Sequence, residues 1–259
     1  MKIQTHGVKI HVRETGQGDT AIVFLHYYGG SSRTWHYVTD ALSAQFRTIA
    51  TDHRGWGESE AGDGSYSIDT LAADAQGVIA ALGLKRYVLV GHSMGGKVAQ
   101  LMASRRPEGL IGVVLVAPAS PSPSGIPAEQ RNAISHAYDS RESVLASIEH
   151  VLTARTLAKS DLEQIVADSL RGASAAKIAW PMQALMEDIT AAIPRINVPV
   201  LIVAGELDQI DPLDAVKSDV LARIAGATMQ TLPGVVHLSP LEAPADVARA
   251  ISEFASGLQ

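Results

Sequence analysis

The sequence predicts an α/β fold: a mostly parallel sheet, helices on both of its faces, and a helical insertion. Three observations lead there. Short apolar runs alternate with segments of helical period along most of the chain, the pattern of parallel strands joined by crossover helices. A serine stands among close glycines in Gly91-His92-Ser93-Met94-Gly95-Gly96, where one apolar run ends and a helix begins. The alternation stops at the proline-rich stretch 117–125, and no convincing strand returns until after Pro194.

Taken in order, Val8 to Arg13 alternates and ends at Gly16, which predicts an antiparallel edge hairpin with the strand that starts near Ala21 and runs to Leu25. Arg47 to Asp52 reads as the next strand, and Ile68 to Asp74 opens a helix running to Leu82-Gly83. Tyr87 to Val90 is a short apolar run of buried character, Lys97 to Ala103 is helical, and Leu110 to Val116 returns to the sheet. Between residues 121 and 194 the period is helical. Val144, Ile148, Val151 and Leu152 share one face, and Leu162, Ile165, Val166 and Leu170 share another, with Ser160 and Glu163 spaced as a capping box. Met182, Leu185, Met186 and Ile189 form a third stripe after Pro181. Val200 to Ala204 and Thr228 to Leu232 complete the strands. The chain therefore divides into a first core part over 1–120, a helical cap over 121–194 and a second core part over 195–259.

Composition narrows the function classes. A chain of 259 residues can bury one large core together with an insertion. Its net charge of -6 comes from interspersed signs with no lysine or arginine run, which argues against nucleic acid as a partner. With no cysteine, disulfides, thiol catalysis and cysteine metal sites are excluded. The N-terminal residues lack the apolar core of a signal peptide, and no apolar stretch is long enough to span a bilayer. A cytoplasmic protein with no membrane partner is expected; nothing in the sequence sets an oligomeric state.

The glycine-flanked serine carries the chemistry. A strand-to-helix turn there holds Ser93 in a strained backbone, projects its hydroxyl from the tip, and sets it at a helix N-terminus whose free N–H groups suit an oxyanion. Two further groups follow in the order such a site needs. Asp208 lies just past the strand ending at Ala204, and His237 lies on the loop after Leu232, both at the sheet edge where open α/β folds build their sites. An imidazole can take the serine proton while a carboxylate fixes the ring and stabilises the imidazolium, with an apparent pKa of about 6–7 expected for the histidine. Asp211, on the same loop, competes with Asp208 as the acid. His92 reads as a packing or hydrogen-bonding residue, His26 and His53 as loop-orienting, Arg54 and Asp52 as a loop-fixing pair, and Glu242 as structural. No ligand-spaced histidine pair supports a metal site.

These motifs together resemble the α/β-hydrolase superfamily, and within it the small serine esterases and related hydrolases, over nearly the whole chain. Gly91 to Gly96 matches the family's nucleophile elbow. Asp52-His53-Arg54-Gly55-Trp56-Gly57-Glu58-Ser59 matches its D-x-R-G-x-G-x-S loop, Gly205 to Pro212 looks like its acid loop, and His237 through Glu242 to Pro244 looks like its H-x-x-x-x-E-x-P segment. The resemblance implies Ser93 as nucleophile, Asp208 as acid and His237 as base, with a cap over the site and no cofactor. It also implies an oxyanion hole from the backbone N–H groups of Met94 and Tyr28, with Tyr27 the competing donor; losing one such donor typically costs about 2.7–4 kcal/mol. Two positions depart from the family pattern: His26-Tyr27-Tyr28 stands where His-Gly is usual, and Val236 stands where glycine usually precedes the histidine. Tyr27, Trp180, Met182 and Met186 are the candidate pocket residues.

The expected activity is hydrolysis of a small carboxylic ester through an acyl-serine, with short or compact acyl groups favoured. Lactone hydrolysis, carbon–carbon bond hydrolysis and perhydrolysis use the same three residues and stay open. A receptor or signalling protein retaining a slow triad is the alternative of another class, and the damaged elbow that would mark it is absent.

Overall fold

The computed structural model describes residues 1–258. Among these, eight strands form one sheet: β1 Lys2–Gln4, β2 Lys9–Thr15, β3 Ala21–Leu25, β4 Arg47–Thr51, β5 Tyr87–His92, β6 Leu110–Val116, β7 Val200–Gly205 and β8 Thr228–Leu232. Their spatial order is β1-β2-β4-β3-β5-β6-β7-β8. From β4 across to β8 every neighbouring pair is parallel, so the C-terminal ends of these strands share one edge.

Side chains alternate across each strand, and the apolar runs therefore feed two cores. Val23, Leu25, Ile49, Leu89, Leu115 and Ile202 face one layer, while Ile22, Phe24, Val88, Val90, Val114 and Val203 face the other. Helices α2 (Ile68–Ala81) and α3 (Met94–Ser104) cover the first layer through Leu71, Val78, Val98 and Met102. Helix α1 (His36–Leu42) and the last helix, Pro244–Ser256, cover the second through Val38, Leu42, Val247 and Ile251. Ser67 caps α2 by accepting from Thr70 N–H, and the chain turns out of that helix at Gly83 with φ of 62°.

The expected hairpin between the first long strand and β3 does not form. Both sides of β3 are occupied by parallel neighbours, β4 and β5, so β2 pairs antiparallel with the open edge of β4, Val12 opposite Thr51, and β1 pairs with β2.

Between β6 and β7 the described chain is helical, with α4 Ala128–Ser135, α5 Arg141–Ser147, α6 Lys159–Arg171 and α7 Ser174–Met182. Four expectations for this insertion need correction. Val151 is 44% exposed while Val144, Ile148 and Leu152 are buried, because the turn after α5 widens (Thr153 N–H bonds to Ile148 O) and rotates Val151 out of the stripe. Ser160 lies inside α6 and makes no cap; Ala158 precedes that helix without a side-chain bond, and Glu163 instead accepts from Arg141 at 2.6 and 2.8 Å. Leu170, also counted on the buried face of α6, is 38% exposed in its last turn. The third stripe is not one helix. Helix α7 ends at Met182, one residue beyond Pro181, a separate turn covers Ala184–Met186, and Ile189 is buried through a bond from its N–H to Pro121 O. Short helices α8 (Leu213–Ala215) and α9 (Ser239–Glu242) precede α10 (Pro244–Ser256). Among the described residues no helix is long and apolar enough to cross a membrane.

Candidate active site

Ser93 sits between β5 and α3 with φ 51° and ψ -112°, a conformation that costs a non-glycine residue energy and persists only where its surroundings enforce it. The enforcement is visible. Its N–H donates to Val116 O at 3.0 Å, and its carbonyl accepts from Lys97 N–H and Ala119 N–H. A Cβ on Gly91 would stand 2.3 Å from Gly95 O, and one on Gly95 would stand 2.4 Å from Leu25 O, so both glycines are required by close backbone passage. Met94 opens α3, and its N–H is one of the donors that helix geometry leaves without an intrahelical partner.

Asp208 follows β7 and His237 follows β8 at the same edge. His237 Nδ1–H donates to Asp208 Oδ2 at 2.8 Å, with both side chains buried. The other oxygen, Asp208 Oδ1, accepts from the N–H groups of Ile210 (2.9 Å) and Asp211 (3.2 Å), which aims the carboxylate at the ring. Glu242 secures the histidine loop: it accepts from Val236 N–H, Thr153 Oγ1–H and Ala154 N–H. Beside this loop, a Cβ on Gly205 at the end of β7 would lie 2.3 Å from Val236 O, so the close passage requires glycine there. His92 Nε2–H donates to the His237 carbonyl at 2.8 Å, tying the histidine backbone to the residue next to Ser93. Serine and histidine are thus brought to one place, though among the described residues no hydrogen bond within 3.5 Å joins Ser93 Oγ to His237. Such bonds commonly tighten only when substrate is bound.

Burial alone would lower the pKa of His237, but Asp208, and behind it Asp211 and Glu242, outweigh that and hold it above the ordinary histidine value. Asp211 lies further from the ring, its Oδ2 4.0 Å from Nδ1 and without a hydrogen-bond partner. Burial first, and then the charge of Asp208, pushes its pKa up to about 8, against the pull of His237. Asp208 holds the position of hydrogen-bonded partner to the ring, and Asp211 that of an unbonded neighbour.

After β3 the chain enters the loop His26-Tyr27-Tyr28-Gly29-Gly30. His26 Nδ1–H donates to Tyr27 O at 2.7 Å, and Gly30 N–H donates to the same carbonyl at 3.0 Å. Because the peptide is planar and trans, a carbonyl fixed on one side directs the Tyr28 N–H to the other. His26 Nε2 in turn accepts from His53 N–H, so both ring nitrogens orient loops. Burial depresses the pKa of His26, His53 and His92 alike, keeping these rings neutral.

Arg54 does not pair with Asp52. It is buried against Asp74 of α2, with bonds of 2.5 and 2.9 Å, and reaches Asp63 and Ser65 O. Asp52 instead accepts from His11, Ser32 N–H and Glu58 N–H, and its carboxylate fills the space where a Cβ on Gly57 would lie, which turns the two side chains apart. Of the candidate pocket residues, Tyr27 and Trp180 are buried, Met186 is half-buried and Met182 is 36% exposed at the end of α7. Tyr27 packs on His92, and Trp180 stacks with Tyr28 at 6.5 Å between ring centres. Sequence reading missed Tyr138, Asp168 and Ser169, which bond to the Tyr28–Arg33 segment from more than 100 residues away and carry no local signal. Among the described residues no group of three or more His, Asp or Glu side chains is placed to hold a metal ion.

Comparison with known proteins agrees with this architecture. The model of the alpha/beta hydrolase family matches residues 22–250, and the chain belongs to that family; by family it is a hydrolase. Among curated relatives, the non-heme haloperoxidase of Rhodococcus erythropolis is 28% identical over 247 residues, covering 89% of this chain and 90% of that protein. Among solved structures, an esterase from Exiguobacterium antarcticum superposes with a TM-score of 0.90 at 24% identity over 98% of both chains. The enol-lactonase of Burkholderia xenovorans gives 0.88 at 22% identity, over 99% of this chain and 100% of that one.

Two outcomes follow from the geometry. Asp208→Asn should lower kcat by about 10⁴-fold, the scale seen when triad charge is removed, whereas Asp211→Asn, which leaves the Asp208–His237 hydrogen bond in place, should change it by less than about threefold. A deeper loss at Asp211 would assign the acid to the other carboxylate. The pH profile is the second. His237 must be neutral to accept a proton, and its pKa is raised, so kcat/KM should climb with pH through an inflection above about 6.5. A profile flat from about pH 5 to 8, or an inflection below about pH 6, contradicts this.

Proposed function

We propose that the protein hydrolyses small carboxylic esters through a covalent acyl-serine, with Ser93 as nucleophile, His237 as general base and acid, and Asp208 as the group that orients and charges the histidine. The observation that carries this reading is the buried Asp208–His237 pair, set at the edge where the strained Ser93 projects. In acylation, His237 Nε2 takes the Ser93 proton as Oγ attacks the ester carbonyl, and the imidazolium then protonates the departing alkoxide. In deacylation the same nitrogen takes a proton from water, whose oxygen attacks the acyl carbon, and gives that proton to Ser93 Oγ as the bond to it breaks, releasing the acid and free Ser93. The N–H groups of Met94 and Tyr28 receive the oxyanion; Tyr28 is favoured over Tyr27 because His26 and Gly30 both fix the Tyr27 carbonyl. No cofactor takes part in these steps. Residues 121–194 act as a cap, and the packing of its Tyr138 and Trp180 against Tyr28 favours short or compact acyl groups over long chains.

A second reading has support in the likeness to a non-heme haloperoxidase: hydrogen peroxide in place of water would attack the same acyl-serine and release a peracid. The esterase and enol-lactonase folds among the neighbours fit acyl transfer to water.

Ser93→Ala should abolish turnover of p-nitrophenyl esters, by about 10⁴-fold or more, in a protein whose circular dichroism is unchanged. The wild type, assayed on p-nitrophenyl esters of graded chain length, lactones, and acetate with peroxide, should show its highest kcat/KM on short-chain esters. Turnover by folded Ser93→Ala close to wild type would refute the mechanism, and preference for emulsified long-chain triglycerides would refute the pocket.

A further inference from the structure

The loop that presents Tyr28 N–H is held from outside the sheet, by the inserted helices. Tyr138 Oη–H donates to Tyr28 O at 3.1 Å, Ser169 Oγ–H donates to Gly29 O at 2.9 Å, and Asp168 accepts from Ser31 Oγ–H at 2.8 Å and from Arg33. Tyr28 reaches back: its hydroxyl donates to Lys177 O at 2.8 Å, a carbonyl that Pro181, lacking an N–H, cannot pair within α7. Tyr28, Tyr138, Asp168 and Ser169 are all buried. Gly29 has φ of 92°, and a Cβ there would stand 2.3 Å from the Tyr138 ring, so ring and loop are fitted to each other.

These bonds act on the donor through successive peptide planes. The Gly29 carbonyl fixed by Ser169 shares its plane with Gly30 N–H, which donates to Tyr27 O; that carbonyl shares its plane with Tyr28 N–H. The Tyr28 carbonyl fixed by Tyr138 sets the plane between the two. We propose that Tyr138 and Ser169 are positioning residues for the oxyanion donor, so that the rate of the acyl-transfer step depends on hydrogen bonds made by the insertion. This rests on the ester-hydrolase reading above and adds to it a role for residues that touch no reacting atom.

The test uses the full chain with Tyr138→Phe, which keeps the ring, and separately Ser169→Ala. Each variant is measured for kcat and KM on p-nitrophenyl acetate, for inhibition by phenylboronic acid, which forms a tetrahedral adduct on an active serine, and for thermal melting. Each should lose about tenfold in kcat with KM changed by less than about twofold, and the boronate inhibition constant should rise by a similar factor as kcat falls. Either folded variant retaining wild-type kcat and boronate affinity, or showing only a raised KM, overturns the proposal. An unmutated protein that neither turns over the ester nor binds the boronate overturns the ester-hydrolase reading, and this proposal with it.

Discussion

The site depends on one close backbone passage, where the end of β5, the first turn of α3 and the end of β3 meet without room for a side chain. Gly95 lies against Leu25 O and Gly91 against Gly95 O at distances no Cβ could occupy. That contact brings the start of the loop after β3 alongside the first turn of α3, with Gly95 against the carbonyls of Leu25 and His26. It also leaves Ser93 no relaxed backbone to adopt. Strain at Ser93 is therefore a consequence of how tightly strand, turn and helix close on one another.

Electrostatics is organised around that point by burial with compensation. An uncompensated buried charge is expensive, and removing one member of a buried pair destabilises far more than the pair itself contributes. Asp208 is met by His237 and two N–H groups, Glu242 by two N–H groups and a hydroxyl, and Arg54 by Asp74. Asp211 Oδ2 has no such partner, and burial raises the pKa of its carboxyl. Two carboxyl groups on one loop are thereby given different environments, one hydrogen-bonded to the ring and one buried without a partner for its Oδ2.

What could be read from the sequence was what local sequence encodes. The elbow is a run of six residues spanning the junction of a strand and a helix, and the acid and histidine each follow a strand, so their common edge follows from parallel strands alone. Partnerships across the fold were less legible. The spacing of Asp52 and Arg54 proposed a pair, but each turns to a partner elsewhere, His11 and Asp74. The first strand looked like half of a hairpin because sequence shows adjacency and not that β3 already has two neighbours. Helical period misplaced Val151 because a single widened turn shifts the phase, and it read through Met182 because a proline near a helix end does not announce where the helix stops. Tyr138 and Ser169 have meaning only beside Tyr28 and Gly29.

The central claim is that Ser93 carries the acyl group. Mixing the protein with a p-nitrophenyl ester, quenching in acid within the first turnovers and mapping the digest by mass spectrometry tests it directly. The mass of one acyl group should appear on the peptide bearing Ser93 and disappear as turnover is completed. Ester turnover with no acyl group on that peptide, or with the group on another residue, would contradict it.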